Sequence, residues 1–85
     1  MKSTEFAEAA KKLVREYAEK NLDATAPEFD VYIVWQCYIL GSMKALLSTT
    51  LRDGMYYEVT YSGAKDEIYL DAYRKIDNHA FKVEV

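Results

Sequence analysis

The sequence predicts an α+β fold, in which an N-terminal amphipathic helix packs on an antiparallel β-meander of four to five strands. Three observations predict it. Apolar residues recur at three- and four-residue steps up to about residue 22, then alternate with polar residues from residue 31 onward. Short segments with Gly, Asp and Ser separate the alternating stretches, as in hairpins. Since 85 residues suit one domain, we assign residues 1–85 to a single domain.

The helix is predicted over about residues 3–22. Ser3 or Thr4 is expected to cap its N-terminus, because both side chains can accept hydrogen bonds from the first backbone N–H groups. Residues 23–30 are predicted to be a linker, since Pro27 disfavours helix at the residue before it. The apolar stripe of the helix comprises Phe6, Ala9, Ala10, Leu13, Tyr17 and Leu22.

The first strand is predicted over residues 31–40 and is apolar on both faces. A buried helix could hide in residues 31–47, but the β-branched content favours a strand. A strand apolar on both sides is interior to its sheet, covered on its second face, or part of a subunit contact, so a homodimer through residues 31–40 is one expectation. Strict alternation places Ile33, Trp35, Cys37 and Ile39 on one face, and Tyr32, Val34, Tyr38 and Leu40 on the other.

Turns separate the predicted strands of the meander, which spans residues 31–85. Gly41-Ser42 is predicted to close the first hairpin, and Arg52-Asp53-Gly54 is the clearest turn in the chain. The strands are predicted over residues 43–50, 55–61 and 67–75, with a short fifth strand over 81–85. The outward face of the third and fourth strands comprises Tyr56, Glu58, Thr60, Tyr69, Asp71 and Tyr73.

Composition narrows the classes of function. Hydrophobic residues make up 51% and charged residues 29% of the chain, which is typical of a globular protein. The net charge of −3 makes nucleic-acid binding unlikely, because that binding relies on Lys and Arg. The single cysteine excludes an intramolecular disulfide and fits a reducing compartment. We find no signal peptide or membrane span, and therefore expect a cytoplasmic protein.

No group of residues predicts an enzyme, a cofactor or a metal site. Cys37 and His79 form the one Cys–His pair, but Cys37 lies in an apolar strand and is interpreted as a buried small hydrophobe. His79 is interpreted as an exposed turn residue. One Cys and one His are too few for zinc. Glu58 and Asp71 could act as an acid/base pair, yet a flat sheet face offers no cleft, and a solvated face is the simpler explanation.

The eight tyrosines carry the strongest functional hypothesis. Exposed aromatic residues are enriched at binding hot spots, and some RNA-binding sheets stack bases on them. The alternative is that cross-strand tyrosine pairs only stabilise the sheet. The candidate partner-binding residues are Tyr56, Tyr69 and Tyr73 on the outward face, and Tyr32 and Tyr38 on the second face of the first strand.

Four segments carry a resemblance to a known family: residues 34–37, 44–50, 53–61 and 67–73. The most distinctive is Asp-Gly-Met-Tyr-Tyr-Glu-Val-Thr-Tyr at 53–61. Together they resemble a family of small uncharacterised proteins from bacteriophages and prophages of Gram-positive bacteria. Residues 38–43 are more apolar than that family's pattern. The resemblance implies a phage or prophage origin and action in a bacterial cytoplasm, and it implies no chemistry.

Three hypotheses follow. The favoured one is a non-enzymatic protein-interaction module that binds a host or phage protein. The first alternative is a nucleic-acid accessory protein in phage replication or transcription. The second is a small-ligand-binding regulator, which requires a pocket of about 300 Å³ or more with converging polar groups.

Overall fold

A computed structural model describes residues 1–21 and 28–84. The helix α1 spans Ser3–Lys20, and four strands follow: β1 Val31–Ile39, β2 Ser42–Thr49, β3 Met55–Ser62 and β4 Glu67–Arg74. The strands form one antiparallel sheet in the order β1-β2-β3-β4. The predicted α+β meander is therefore confirmed, with four strands. Residues 81–84 do not form the predicted fifth strand, and Val85 lies outside the described residues.

The N-cap of helix α1 lies before both predicted cap residues, Ser3 and Thr4. Lys2 occupies the N-cap position, and its backbone N–H donates to the Glu5 carboxylate at 3.4 Å. Ser3 and Thr4 lie within the first turn, so the prediction that either one caps the helix is wrong. At the other end, the Asn21 side-chain amide donates to the Tyr17 carbonyl at 2.8 Å. The predicted final residue, Leu22, lies outside the described residues.

The core lies between α1 and one side of the sheet. The helix buries Phe6, Ala10, Val14 and Ala18, at steps of four residues. The predicted apolar stripe differs slightly from these buried residues. Of its members, Ala9 and Leu13 are only half-buried and Tyr17 is exposed. From the sheet, the buried residues opposite the helix are Met43, Ala45, Leu47, Tyr57 and Val59.

A β-bulge in β1 changes which residues share a face. Ile33 pairs with Leu47 and Trp35 pairs with Leu46, so Val34 is an extra residue. Beyond the bulge the alternation is shifted by one. Trp35, like Cys37 and Ile39 after it, consequently lies on the side away from α1. Tyr38 pairs with the buried Met43 and lies on the α1 side. The predicted assignment of these residues to faces is therefore wrong after residue 33.

Strand β1 lies at the edge of the sheet, so the expectation that it is interior is wrong. The helix covers one side of it. The Arg15 guanidinium lies 4.8 Å from the centre of the Phe29 ring and donates to the Phe29 carbonyl at 3.2 Å. The Gln36 amide donates to the Ser3 carbonyl at 3.1 Å. The opposite side of β1 is covered by none of the described elements.

The first hairpin turn uses two residues with positive φ. Leu40 has φ 46° and Gly41 has φ 81°, as in a type I′ turn. The predicted turn, Gly41-Ser42, was one residue too late, since Ser42 begins β2. The predicted turn at Arg52-Asp53-Gly54 forms, with Gly54 at φ 70° and the Asp53 carboxylate accepting from the Met55 N–H at 3.1 Å. Among the described residues, no helix is long and apolar enough to cross a membrane.

Candidate binding surface on the open side of the sheet

The side of the sheet that faces away from α1 is here called the open face. Its residues follow from the strand registers, because side chains alternate between the two sides. The open face comprises Tyr32, Trp35, Cys37 and Ile39 of β1, Ser42, Lys44, Leu46 and Ser48 of β2, Tyr56, Glu58, Thr60 and Ser62 of β3, and Glu67, Tyr69, Asp71 and Tyr73 of β4.

One end of the open face is a row rich in tyrosine. Tyr32 pairs with Ser48, Ser48 with Tyr56, and Tyr56 with Tyr73. Tyr73 keeps 54% of its surface exposed, while Tyr56, between two strands, is half-buried. The Ser48 hydroxyl donates to the Met55 carbonyl at 2.8 Å, which satisfies this small polar residue within the sheet. The row therefore presents three tyrosine rings on the open face, with the small, hydrogen-bonded Ser48 between Tyr32 and Tyr56.

The next row combines apolar and acidic side chains. Trp35 pairs with Leu46, Leu46 with Glu58, and Glu58 with Asp71. Trp35 is 43% exposed. The Lys44 ammonium lies 3.2 Å from a Glu58 carboxylate oxygen, so this acid has a cationic neighbour. Asp71 makes no ion pair with a described residue. The row is consequently apolar at β1 and negatively charged at β4.

Tyr69 adds a further aromatic ring to β4, opposite Thr60. Its hydroxyl donates to the Glu67 carboxylate. This hydrogen bond raises the pKa of Tyr69 above its ordinary value, because it stabilises the protonated phenol. Tyr69 is therefore held in place as a neutral ring beside an acidic group.

The structure brings four of the five predicted binding residues to one surface. Tyr32, Tyr56, Tyr69 and Tyr73 lie on the open face. Tyr38 does not. It is 70% exposed, but it lies on the α1 side, beyond the start of the helix.

Sequence reasoning missed two apolar members of the surface, Trp35 and Leu46. Trp35 was assigned to the same face as Ile33, because the β1 bulge cannot be recognised from the alternation of β1 alone. The apolar character of residues 31–40 on both sides was the signal that a second surface existed there.

Cys37 and His79, considered above as a Cys–His pair, make no hydrogen bond to each other. Cys37 is half-buried on the open face opposite Lys44, so it is less buried than its interpretation as a buried small hydrophobe requires. His79 lies in the exposed C-terminal part of the chain, with Nε2 2.8 Å from a carboxylate oxygen of Asp77. Among the described residues, no three His, Cys, Asp or Glu side chains are grouped as metal ligands.

Two hollows lie on the other side of the sheet. One of about 390 Å³ borders the start of α1. The other, of about 360 Å³, lies at the end of α1 and contains the Tyr17 and Tyr57 rings, which meet edge to face at 5.7 Å. Burial and the nearby Asp53 carboxylate raise the pKa of Tyr57. The second hollow is lined by Tyr17, Ala18, Asn21, Asp53, Met55, Tyr57 and Arg74.

Residues 7–83 match a protein-family model described as "Family of unknown function (DUF6275)". The chain belongs to this family. The matched residues include nearly all of α1 and all four strands, so the open face of this DUF6275 protein lies wholly inside the family region. No curated protein and no solved structure gives a significant match.

Proposed function

We propose that this DUF6275 protein is a non-enzymatic protein-interaction module that binds its partner through the open face. The observation that supports it is a group of exposed aromatic and apolar side chains on a sheet face that no described element covers. Trp35 pairs with Leu46 near the β1 edge, and the neighbouring row leads through Tyr56 to Tyr73 at the β4 edge. Contiguous apolar surface of this kind marks interaction sites in soluble proteins, and Trp and Tyr are the residues most enriched at hot spots.

The charges of the open face select the chemistry of the partner. Three carboxylates, those of Glu58, Glu67 and Asp71, share it with one lysine, Lys44, which already contacts Glu58. A matching surface would place apolar groups against Trp35 and a Lys or Arg near Asp71. The same charges oppose phosphate binding, so a nucleic-acid accessory role remains the less favoured proposal.

The resemblance to phage and prophage proteins supports a setting for this module. We place the protein in the cytoplasm of a bacterial host, with a host or phage protein as partner. If the partner is a second copy of this chain, the proposal becomes a homodimer through residues 31–40. It would use the exposed side of β1, including Tyr32 and Trp35, because the bulge at Val34 interrupts the regular backbone edge that strand pairing needs.

The test is affinity capture with tagged variants from infected or lysogenic cells. We expect Trp35→Ala and Tyr73→Ala to lose a partner that the wild type retains, since truncating a hot-spot residue costs about 2 kcal/mol or more in binding. Tyr38→Ala is the matched control, because Tyr38 is an exposed tyrosine on the opposite side. Equal capture by all three variants would remove the open face as the binding surface.

The hollow at the end of α1 favours a second candidate, a small-ligand-binding regulator. Its volume of about 360 Å³ meets the size expected of a ligand site. Its lining brings together an acid, Asp53, a base, Arg74, and two tyrosine rings. A zwitterionic ligand with an apolar part, such as a free amino acid, fits this set of groups.

Thermal-shift measurements with a panel of free amino acids test this second candidate. We expect a ligand-dependent rise in melting temperature that Arg74→Ala removes. Arg52→Ala should keep it, because Arg52 does not line the hollow. No shift with any member of the panel would reject a free amino acid as the ligand.

A further inference from the structure

The C-terminal part of the chain exposes apolar side chains in a strand-like pattern. Residues 75–84 have no regular secondary structure. Phe81 is 85% exposed and Val83 is 86% exposed, and they alternate with Lys82 and Glu84. Alternation of this kind suits a strand with one apolar side. Leaving a Phe and a Val in water forgoes the favourable free energy of burying their apolar surface, so this segment gains from a partner.

Among residues 1–21 and 28–84, nothing pairs with the outer edge of β1 or of β4, and these two edges differ. The bulge in β1 breaks the regular spacing of its outer backbone groups. Strand β4 pairs with β3 without interruption from Glu67 to Arg74, so its outer edge is regular. Regular, unprotected edges are the ones that accept another strand. Strand β4 is therefore the edge better suited to pairing.

The α1 side of β4 is also incompletely covered. Helix α1 packs over β1, β2 and β3. Ile68 and Leu70 are only half-buried on that side, and Ala72 is exposed. A fifth strand beside β4, with its apolar side toward α1, would complete the burial of these residues.

We propose that residues 81–84 of one molecule pair with the outer edge of β4 in a second molecule, reciprocally, to form a dimer. Antiparallel pairing with Lys82 opposite Asp71 places Phe81 opposite Ala72 and Val83 opposite Leu70. Both apolar side chains then lie on the α1 side. Lys82 lies on the open face beside Asp71, a carboxylate with no ion pair to a described residue.

The path of the chain after β4 favours a second molecule over its own edge. The Lys75 N–H donates to the Gly54 carbonyl at 2.7 Å, so the chain continues in the direction of β4 past Arg74. Asp77 then accepts from the Asn78 N–H and contacts His79. Within the described residues, the backbone of 81–84 makes no hydrogen bond to β4.

Symmetry agrees with the proposed direction of pairing. In a two-fold dimer whose axis is perpendicular to the strands, the two β4 strands run antiparallel. A segment that continues the direction of its own β4 therefore arrives antiparallel to β4 of the second molecule. Each molecule donates one strand and accepts one, so both free β4 edges are covered.

Sedimentation velocity over a concentration series tests the dimer. We expect the wild type to dimerise, and Phe81→Asp to raise the dissociation constant by more than about tenfold, because an apolar anchor is replaced by a charge. Ile76→Asp is the matched control. Ile76 is 93% exposed and lies outside the paired residues, so this variant should dimerise like the wild type.

A charge exchange tests the register. Asp71→Lys and Lys82→Glu should each weaken the dimer, and the double variant should recover most of the loss, since the pair is restored with reversed sign. A wild type that stays monomeric up to about 1 mM, an equal loss with Ile76→Asp, or no recovery in the double variant would each overturn the proposal. A dimer that is weakened by Trp35→Ala and not by Phe81→Asp would also overturn this proposal, and it would support the homodimer through residues 31–40 instead.

Discussion

Both sides of the sheet carry large apolar and aromatic side chains, and the two sides differ in what covers these side chains. On the α1 side, Ala45, Leu47 and Val59 are fully buried under Phe6 and Val14. On the open face, Trp35 and Tyr73 remain about half exposed. Apolar residues therefore stabilise the fold on one side and are available for binding on the other. The difference teaches that burial separates the aromatic residues that belong to the core from those that remain exposed for the proposed binding.

The largest expected effect comes from breaking the covered side. Phe6→Ala should lower the free energy of unfolding by about 3–5 kcal/mol, because it removes a fully buried ring and leaves a cavity. That is a large part of the about 5–10 kcal/mol expected for a domain of this size. Urea unfolding followed by circular dichroism measures it. Trp35→Ala is the comparison on the open face, and a loss as large as that of Phe6→Ala would contradict the contrast between the sides.

The pattern of the sequence was enough to predict most of the covered side. Strands β3 and β4 begin and end within one residue of their predicted bounds, because inward and outward residues alternate cleanly along them. The open face was only partly predictable. The bulge at Val34 depends on how β1 pairs with β2. Because β1 is apolar on both faces, an extra residue does not change its pattern of polar and apolar residues. Trp35 and Tyr38 were consequently assigned to the wrong sides.

The C-terminal residues show the same limit in another form. Phe81 and Val83 have the alternation of a strand, but a strand also needs a neighbour. Since residues 81–84 do not pair with β4 of their own molecule, the pattern alone overestimated the number of strands. Local periodicity predicts which residues can pair, and only the path of the chain decides whether they do.

The next largest effect on stability is expected where the β1–β2 turn meets the β3–β4 loop, at one end of the sheet. A Cβ added to Gly63 would lie 2.5 Å from the Gly41 carbonyl oxygen, which is closer than atoms can approach. Gly63→Ala should therefore lower the free energy of unfolding by about 1–3 kcal/mol, through displacement of backbone. Chemical denaturation measures this loss. Ala64→Ser, an exposed change at the neighbouring position, should have little effect. An unchanged Gly63→Ala protein would show that the two turns can separate freely.

A smaller change, this time a gain in stability, is expected in the β1–β2 turn. Leu40 has φ 46°, a left-handed conformation that costs a residue such as Leu about 1–2 kcal/mol, and its side chain is almost fully exposed. Asn tolerates this conformation and precedes Gly in the most favourable type I′ turns. Leu40→Asn should raise the free energy of unfolding by about 1 kcal/mol, measured by thermal or urea unfolding. A loss of stability would show that the Leu40 side chain contributes packing, in contrast to its exposure.

The smallest expected effect concerns the ionisation of two tyrosines, Tyr57 on the covered side and Tyr69 on the open face. The pKa of Tyr57, on the covered side, is raised above 10.0 chiefly by burial, whereas that of Tyr69, on the open face, is raised chiefly by its hydrogen bond to Glu67. The folded protein holds the Tyr57 proton more tightly than the unfolded chain does. Its contribution to stability is therefore complete below pH 10 and is lost as the pH rises through the raised folded pKa.

Tyrosinate absorbance during a pH titration checks both causes. Glu67→Gln should move the pKa of Tyr69 toward its ordinary value, because the charged acceptor is removed, and should leave that of Tyr57 unchanged. Asp53→Asn should lower the pKa of Tyr57 only in part, since burial is the larger cause and persists in the variant. If Glu67→Gln left the titration of Tyr69 unaltered, the hydrogen bond would not control it. Tyr69 would then resemble Tyr57, and the contrast between the two sides would fail at this residue.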